Sequence, residues 1–391
     1  MKKICCLILV AMMFLMSSCS LGTFFNKSEA VNKNVDVDDK GVINPTSAPT
    51  AQGLEDATNV KGLIGNRDVV ASSDGIEKVK VVNDELVPAV VIGGIPDDTW
   101  IEDGFSPVIL YLRDSDGFII PVTQKAVSQP EIAKLSLLRL IDNSVNREEL
   151  ARYGLYPTIP QKTEILGFTI SNGIATIDFS SNFLNYKSDL DERNMISSIV
   201  YTMTQFPTVT GIKLMCSGKK LSVMRFGTDA SSVLYRANTM INTEKLNVNT
   251  ELMKQDIYAF RNSAGNIAYS IPVSYEYEGN SGGADFNKTV ELMSQVNKNG
   301  LASLLPEGTK LIGSSVDKST ITLNFSKDIR RYAGNMREEA ILRQLSYTFA
   351  QYKGIEYVRI FIEGSQNSVL PEGTDLSESF KISKALNLIL D

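Results

Sequence analysis

The order of apolar and polar positions in this chain predicts a short set of structural elements. A strand at Val108–Leu112 comes first and runs into a turn rich in Asp and Gly. Between Glu131 and Asp142, apolar residues fall at positions 132, 135, 138 and 141, the spacing of one helix face. The alternating runs Ile165–Ile170 and Ile174–Phe179 flank an Asn-Gly pair and predict a β-hairpin.

A longer helix and a final strand complete the set. The helix has apolar residues at positions 195, 196, 199, 200 and 203, a wide stripe that predicts packing against a sheet. We expect it to end at Phe206-Pro207, before a strand at Ile212–Cys216. Cys216 belongs to this apolar strand, so we expect a small buried side chain rather than a reactive thiol.

The same set occurs a second time along the chain. A shift of 146 residues aligns positions 159–218 with 305–364 without a gap, and twelve of the sixty pairs are identical. Upstream, Leu112–Gly117 matches Phe260–Gly265 at a shift of 148. The sequence therefore predicts an α+β protein: two tandem repeats of a small mixed-sheet α/β sandwich, with domains at 105–230 and 250–391.

The first residues have the pattern of an export signal. Lys2 and Lys3 precede an apolar run at Ile4–Met16, which is too short for a permanent membrane span. Met16-Ser17-Ser18-Cys19 resembles a bacterial lipobox, so residues 1–18 are predicted to be a lipoprotein signal peptide and Cys19 the lipidated residue. The alternative is an ordinary signal peptide with an incidental cysteine.

Residues 19–104 are predicted to be a linker. From Ser20 to about Asn59 the chain is polar and poor in aromatic residues, the composition of a flexible tether. Local strands are predicted at 78–82 and 89–92. Two or three acyl chains on Cys19 would hold the protein stably at the membrane, with both repeats outside it.

Composition narrows the classes of function. The net charge of −6 and the absence of a basic stripe give no electrostatic reason to bind nucleic acid. The chain has no histidine, which removes Ser-His and Cys-His nucleophile pairs and His-ligated zinc. We expect no catalytic residue, no metal and no cofactor. Asp178 is the best carboxylate candidate, but its counterpart Asn324 favours a capping role.

The repeated motifs resemble the GerM domain family, also called the sporulation and spore germination domain. The first copy carries Ile177-Asp178-Phe179-Ser180 and Tyr201-Thr202-Met203-Thr204-Gln205-Phe206. The second carries Leu323-Asn324-Phe325-Ser326 and Tyr347-Thr348-Phe349-Ala350-Gln351-Tyr352. It departs from the family pattern in Asn324, and Lys353 stands where the first copy has Pro207.

The resemblance implies a spore-former's lipoprotein between the mother-cell and forespore membranes. There it would help to assemble an envelope-spanning complex and support cortex formation and germination. GerM domains are similar to ring-building domains of secretion systems, which implies sporulation proteins as partners and self-association. The repeated helix residues suggest a contact surface for a neighbouring domain: Tyr201, Thr202, Gln205, Tyr347, Thr348 and Gln351. The plainer alternative is a helix face packed inside the fold.

Two other functions fit the sequence. Exposure to the cell wall and the aromatic residues Tyr111, Tyr275 and Tyr277 would suit a peptidoglycan-binding module. A wall hydrolase would need a pair of Asp or Glu residues across a cleft.

Overall fold

The computed structural model describes residues 103–262, 267–279, 284–298, 300–383 and 385–389, and the backbone of three short strands before them. The predicted signal peptide, Cys19 and most of the predicted linker lie outside the described residues. Both repeats belong to one compact unit, Ser72–Asp391. The three short strands are β1 (Val81–Val82), β2 (Glu85–Leu86) and β3 (Val90–Val91).

The first repeat contains seven strands and three helices in the described part of the chain. They are β4 (Phe105–Arg113), β5 (Ile119–Val127), α1 (Ile132–Arg139), α2 (Ser144–Ala151), β6 (Ile165–Ser171), β7 (Ile174–Phe179), α3 (Asp189–Met203), β8 (Gly211–Cys216), β9 (Lys219–Lys220) and β10 (Leu234–Tyr235).

The second repeat has the same order with a different insertion. Its elements are β11 (Met253–Asn262), β12 (Ile267–Tyr277), α4 (Phe286–Ser294), β13 (Asn297–Lys298), β14 (Leu301–Ala302), β15 (Leu311–Asp317), β16 (Thr320–Phe325), α5 (Asn335–Phe349), β17 (Tyr357–Ile362) and β18 (Phe380–Lys381). The predicted pair of tandem α+β repeats is confirmed.

Each repeat has a mixed sheet, with four strands in the second repeat and five in the first, where β9 also pairs with β8. The strand order is β10-β8-β7-β6 in the first repeat and β15-β16-β17-β18 in the second. The central pairs, β7 with β8 and β16 with β17, are parallel, and their neighbours are antiparallel. Helices α3 and α5 make the crossovers between the parallel strands, which a short turn could not provide.

The first two strands of each repeat do not join that mixed sheet. β4 and β5 form a separate ribbon, and β11 and β12 form the corresponding ribbon, extended by β14 and β13 on one edge and by β3 on the other. Each ribbon contacts the long helix of its repeat. The helix therefore lies between a sheet and a ribbon. The apolar pattern predicts one sheet with the helices on one face, and the additional layer formed by the ribbon corrects that prediction.

Helix α3 is buried on both sides, although its apolar stripe predicts contact with a sheet on one side only. In α3 the apolar stripe residues Met195, Ile196, Ile199 and Val200 are buried, but so are polar residues on the opposite side, including Ser198. Polar side chains under a ribbon look, in sequence, like polar side chains facing water. The helix begins at a capping box formed by Ser188 and Asp191 and ends at Met203, three residues before the predicted end.

The insertion after the first helix differs between the repeats. In the first repeat it forms α2, and the Asn146 side-chain amide donates to the carbonyls of Leu138 (3.0 Å) and Ile141 (2.8 Å). In the second repeat it forms the β13–β14 hairpin, which pairs with β11. Neither element was predicted. No helix within the described residues has both the length and the apolar composition to cross a bilayer.

Candidate functional site: the interface between the repeats

Polar side chains of α3 bind the backbone of the β4 strand. Thr202 Oγ1 accepts a hydrogen bond from the backbone N–H of Tyr111 at 3.0 Å, and Ser198 Oγ donates to the Tyr111 carbonyl. The β4 strand thereby obtains partners for its buried backbone groups from a helix.

The second repeat makes the same contact with slightly different chemistry. Thr348 Oγ1 accepts from the backbone N–H of Tyr258 at 3.0 Å, and Gln344 Nε2 donates to the Tyr258 carbonyl at 2.9 Å. Position 344 is the counterpart of position 198 at the shift of 146. The Tyr-Thr pair of the family motif therefore attaches the ribbon to the helix in both repeats.

The six residues suggested as a contact surface do not form an exposed one. Four are buried, Gln205 is half-buried and only Gln351 is exposed. Gln351 Nε2 donates to the Asp256 carbonyl at 2.8 Å. The physical reason is the ribbon, which covers the helix face that carries them. The buried four are Tyr201, Thr202, Tyr347 and Thr348.

Tyr201 does contact a neighbouring domain, namely the second repeat of the same chain. Its hydroxyl donates to Asp256 Oδ2 at 2.7 Å. Lys254 Nζ lies 2.9 Å from the same oxygen and 2.8 Å from the Tyr201 hydroxyl. Ser274 Oγ donates to the other carboxylate oxygen at 2.5 Å. The Asp256 carboxylate is thus fully enclosed and has three partners from two repeats.

A guanidinium group from the segment joining the repeats completes this charged end of the interface. Arg236 stacks on the Tyr201 ring with 4.3 Å between its guanidinium carbon and the ring centroid. With its oxygen facing Arg236, the Gln205 amide accepts from the guanidinium at 2.8 and 3.1 Å and from the Tyr111 hydroxyl at 3.0 Å. Lys254 Nζ also donates to the Arg236 carbonyl at 3.0 Å.

Asp256 remains ionised in this setting. Burial alone would raise the pKa of its carboxyl, but the charge and hydrogen bond of Lys254 and the hydrogen bonds of Ser274 and Tyr201 outweigh it. The pKa of Asp256 is therefore lower than its ordinary value. Burial raises the pKa of Tyr201, and the Asp256 charge raises it further, so the tyrosine stays a hydrogen-bond donor.

The opposite end of the interface is apolar. Tyr347, the counterpart of Tyr201, packs edge-on against Tyr258, with ring centroids 5.5 Å apart. Leu386 completes a small cluster with them, and Ile109 packs against it. Ile109 occupies in β4 the position that Asp256 occupies in β11, because the two strands match at a shift of 147 through Tyr111 and Tyr258. One interface thus has a charged end and an apolar end.

The ends of the two repeats cross over and pair with each other's ribbons. The backbone N–H of Thr123 donates to the Leu386 carbonyl at 2.8 Å, and Leu386 N–H donates to Thr123 Oγ1 at 2.7 Å. In the mirrored contact, Ser274 N–H donates to the Ile241 carbonyl at 3.0 Å, and Ile241 N–H donates to Ser274 Oγ at 2.9 Å. Each repeat is completed by the tail of the other.

Two asparagines bridge the ribbons in the same reciprocal way. Asn387 accepts from the N–H of Ser270 and donates to the carbonyls of Ser270 and Pro121. Asn242 accepts from the N–H of Ile119 and donates to the carbonyls of Ile119 and Pro272. The bonds measure 2.7–2.9 Å, and both asparagines have positive φ, 46° and 57°. The repeats are therefore related by an approximate two-fold axis.

A buried ion pair adds a further link. Arg261 Nε of the second repeat binds Asp114 Oδ2 in the β4–β5 turn at 2.6 Å, and another of its nitrogens binds Asp116. The guanidinium carbon also lies 4.1 Å from the Phe118 ring centroid. The Asp-rich turn, which the sequence indicated only as a turn, is thus a contact between the repeats.

Comparison with known proteins identifies the family. The family model described as Germane, sporulation and spore germination, matches residues 109–222 and 256–368, together more than half of the chain. The chain belongs to the Germane family. The resemblance of the repeated motifs to the GerM domain is therefore confirmed.

A curated relative and a solved structure each match a large part of the chain. The spore germination protein GerM of Bacillus subtilis (strain 168) is 27% identical over 335 residues, which are 81% of this chain and 90% of that protein. The solved structure of the tandem GerMN domains of the sporulation protein GerM from Bacillus subtilis has a TM-score of 0.62 and 25% identity. It covers 73% of this chain and 99% of its own.

Each Germane repeat also contains a buried glutamate that the sequence analysis did not single out. Glu192 of α3 accepts from the N–H groups of Phe226 and Thr228, at 2.9 and 3.0 Å. Glu338 of α5 accepts in the same way from Glu372 and Thr374, at 2.8 and 3.1 Å. Positions 192 and 338 are both glutamate and pair at the shift of 146, so the repeat alignment could have pointed to them. These carboxylates hold the loop after the last central strand.

Asp178 and Asn324 have equivalent capping positions. Asp178 accepts from the backbone N–H of Gly218, at 3.1 and 3.0 Å to its two oxygens, and Asn324 Oδ1 accepts from Gly364 at 2.9 Å. Both glycines have positive φ, which a turn of this shape requires. The capping role predicted from the Asp-to-Asn exchange is confirmed for the turn, and Cys216 is buried as expected.

The described residues give little support to a peptidoglycan-binding module or a wall hydrolase. Tyr111 is fully buried and cannot stack on a sugar, and Tyr275 and Tyr277 pack partly against the core. Within the described ranges, no group of three or more His, Cys, Asp or Glu side chains is placed to hold a metal ion.

Proposed function

We propose that this protein is a non-catalytic, lipid-anchored member of the Germane family that helps to assemble an envelope complex during spore formation. In this proposal Cys19 carries the lipid and the two repeats stand on the extracytoplasmic face, between the mother-cell and forespore membranes. Its partners are envelope proteins of the sporulating cell, and the complex supports cortex formation and germination. Family membership and the tandem likeness to GerM support it.

The observation that carries the assembly role is a pair of equivalent sheet edges, each of which exposes apolar side chains and neither of which contains lysine or proline. The reciprocal interface buries the ribbons and leaves β6 and β15 as the outer strands of the two mixed sheets. Each edge exposes two apolar side chains at matching positions: Leu166 and Ile170, and Ile312 and Val316, which are 39–54% exposed. An edge without lysine or proline is a ready template for pairing with another strand.

Charged substitutions on these edges test the assembly role. We expect Ile170→Lys combined with Val316→Lys to lower the yield of heat-resistant spores without lowering the amount of folded protein. A matched control is Val223→Lys with Val369→Lys, because these two valines are also exposed and equivalent but lie in loops. Equal spore yields from the edge variant and the control would overturn the edge as the contact.

Localisation tests the anchor separately. A fluorescent fusion of the full chain should concentrate at the engulfing double membrane, and Cys19→Ala should make the signal diffuse. A uniform signal in vegetative membranes would instead favour a general wall-binding lipoprotein, and retention on purified peptidoglycan would support that alternative.

A further inference from the structure

The loop after the last central strand has equivalent backbone contacts in the two repeats. In the first repeat, the N–H of Met224 donates to the Thr228 carbonyl at 2.8 Å. In the second, the N–H of Leu370 donates to the Thr374 carbonyl at 2.9 Å. The buried glutamates of α3 and α5 hold both loops through equivalent hydrogen bonds. The difference between the loops therefore lies in their side chains.

The two loops carry opposite charges. Residues 217–231 contain three cations and one acid, which give this loop a net charge of +2. The equivalent residues 363–377 contain three acids and neither lysine nor arginine, which give a net charge of −3. The first loop is thus basic although the whole chain has a net charge of −6. Its three cations are exposed: Lys219, Lys220 and Arg225.

Apolar side chains accompany the cations of the first loop. Phe226 at its tip is 42% exposed, and its ring centroid lies 6.0 Å from that of the buried Tyr186. Leu184, close to Tyr186 in the chain, is 38% exposed, and Lys187 is exposed as well. In the second repeat, Glu372 takes the position of Phe226. We call the following set the basic surface: Leu184, Lys187, Lys219, Lys220, Arg225 and Phe226.

The acids next to the basic surface have other partners. Asp189 pairs with Arg193 at 2.5 Å, and Asp191 belongs to the capping box of α3. Asp229 pairs with Val223 at the base of the loop, outside the basic surface. Within the described part of the chain, none of the four cations of the basic surface forms an ion pair. Their charge is therefore available to another molecule.

Cations beside exposed apolar side chains suit the surface of an anionic lipid bilayer. Lysine and arginine are attracted to the headgroups, while aromatic and leucine side chains enter the boundary between headgroups and acyl chains. A soluble polyanion would use the cations alone and leave Phe226 and Leu184 in water. The apolar side chains therefore favour a bilayer.

We propose that the basic surface docks on the anionic lipid surface of a membrane and turns the first repeat towards it. The acidic loop of the second repeat would be repelled by the same headgroups, so the approximate two-fold symmetry of the fold does not extend to membrane contact. The proposal depends neither on a lipid at Cys19 nor on the assembly role of the sheet edges.

Cosedimentation with lipid vesicles tests the basic surface. The chain without residues 1–19 is used, because it keeps the whole compact unit Ser72–Asp391 and carries neither the signal sequence nor an acyl chain. It should bind vesicles of phosphatidylcholine with phosphatidylglycerol, but not of phosphatidylcholine alone, and high salt should release it. A triple change to glutamine should lower the partition coefficient about 100-fold: Lys219→Gln, Lys220→Gln and Arg225→Gln.

A matched variant separates the basic surface from overall charge. Lys310→Gln, Lys318→Gln and Lys327→Gln remove three exposed cations of the second repeat. This control should change the partition coefficient by less than about twofold, because its cations lie outside the basic surface. Phe226→Ser, which keeps all cations, should lower it severalfold. Circular dichroism and the urea midpoint confirm that each variant is folded.

Three results would overturn the proposal. Equal binding to vesicles with and without phosphatidylglycerol, or no binding to either, would leave an acidic protein as the better partner for the basic surface. Equal losses in the two triple variants would show that net charge alone governs binding. Full binding by Phe226→Ser would show that the apolar tip does not enter the bilayer and would favour a soluble polyanion.

Discussion

The two ends of the inter-repeat interface use equivalent tyrosines, Tyr201 and Tyr347, in different kinds of contact. At one end Tyr201 donates to the buried Asp256 carboxylate beside Lys254 and Arg236; at the other, Tyr347 packs on Tyr258 and Leu386. Backbone contacts around them are nearly identical. The comparison teaches that the two-fold arrangement rests on the ribbons, tails and asparagines, whereas the side chains at the two ends have diverged without altering it.

Removal of the carboxylate at the charged end should have the largest effect. Asp256→Ala leaves Lys254 and Arg236 buried without a counter-charge, so we expect a loss of about 3–5 kcal/mol in the free energy of unfolding. Ile109→Ala, the matched change at the apolar end, removes a partly buried side chain and should cost about 2 kcal/mol. Urea unfolding measures both.

A double variant tests whether the stability of the charged end depends on its ion pair or only on the filling of its space. Asp256→Ile with Lys254→Met makes the charged end resemble the apolar one and should unfold at higher urea than Asp256→Ala. If the double variant were the less stable of the two, the idea that the ends are interchangeable would be wrong.

The bridging asparagines should have similar and nearly as large effects. Asn387→Ala and Asn242→Ala each leave three buried backbone groups without partners and place alanine at positive φ. We expect each to cost about 2–4 kcal/mol. A difference of more than about 2 kcal/mol between them would contradict the reciprocal interface.

Conservative changes of the two tyrosines sharpen the comparison. Tyr201→Phe deletes a hydrogen bond to a charged group and should cost about 1.5–3 kcal/mol. Tyr347→Phe at the apolar end should cost about 1 kcal/mol or less, because any bond lost there is to neutral partners. Equal losses would show that the hydrogen bond from Tyr201 to Asp256 stabilises the protein no more than the contacts of Tyr347 do.

Acid should weaken both the charged end of the interface and the two loops that Glu192 and Glu338 hold. A carboxyl whose pKa is lowered by folding stabilises the protein above its ordinary pKa, and this stability is lost as pH falls through the folded value. The ordinary values are 3.8 for Asp256 and 4.5 for Glu192 and Glu338, and folding lowers all three pKa values. Stability should therefore decline below about pH 4.5, and less steeply in the Asp256→Ile, Lys254→Met variant.

The smallest effect is expected at position 178, where the two repeats already have different residues, Asp178 and Asn324, in the same role. Asp178→Asn copies the second repeat and keeps the acceptor for Gly218, so stability should change by less than about 0.5 kcal/mol. Asp178→Ala should cost about 1 kcal/mol. A large loss on Asp178→Asn would show that the charge, and not the cap, is what the first repeat uses.

The sequence was a good guide where a pattern depends on local contacts. Apolar spacing predicted the long helices and hairpins of both repeats, because one face of each element packs on a core. The separate ribbon was not predicted, because polar residues such as Thr202 and Thr348, which accept hydrogen bonds from strand N–H groups, look in the sequence like a helix face exposed to water. The α2 insertion was missed for a similar reason, because Asn146 stabilises it through backbone carbonyls rather than through an apolar stripe.

The interface could not be predicted from either repeat alone. Asn242 and Asn387 lie 145 positions apart in stretches with little other similarity, and their partners belong to the opposite ribbon. Glu192 and Glu338 were visible as an identical pair. Their meaning depends on loop amides more than thirty positions away, which no periodicity indicates.

The crossed tails determine the order in which the two repeats can be completed during synthesis. Thr123 can form its hydrogen bond with Leu386 only after that residue has been synthesised, 263 positions later. At about 5–20 residues per second, the ribbon of the first repeat stays uncovered for roughly 10–50 seconds. A nascent chain that has not yet reached Leu386 therefore still lacks the segment that pairs with Thr123, so the first repeat is completed only after most of the second has been synthesised.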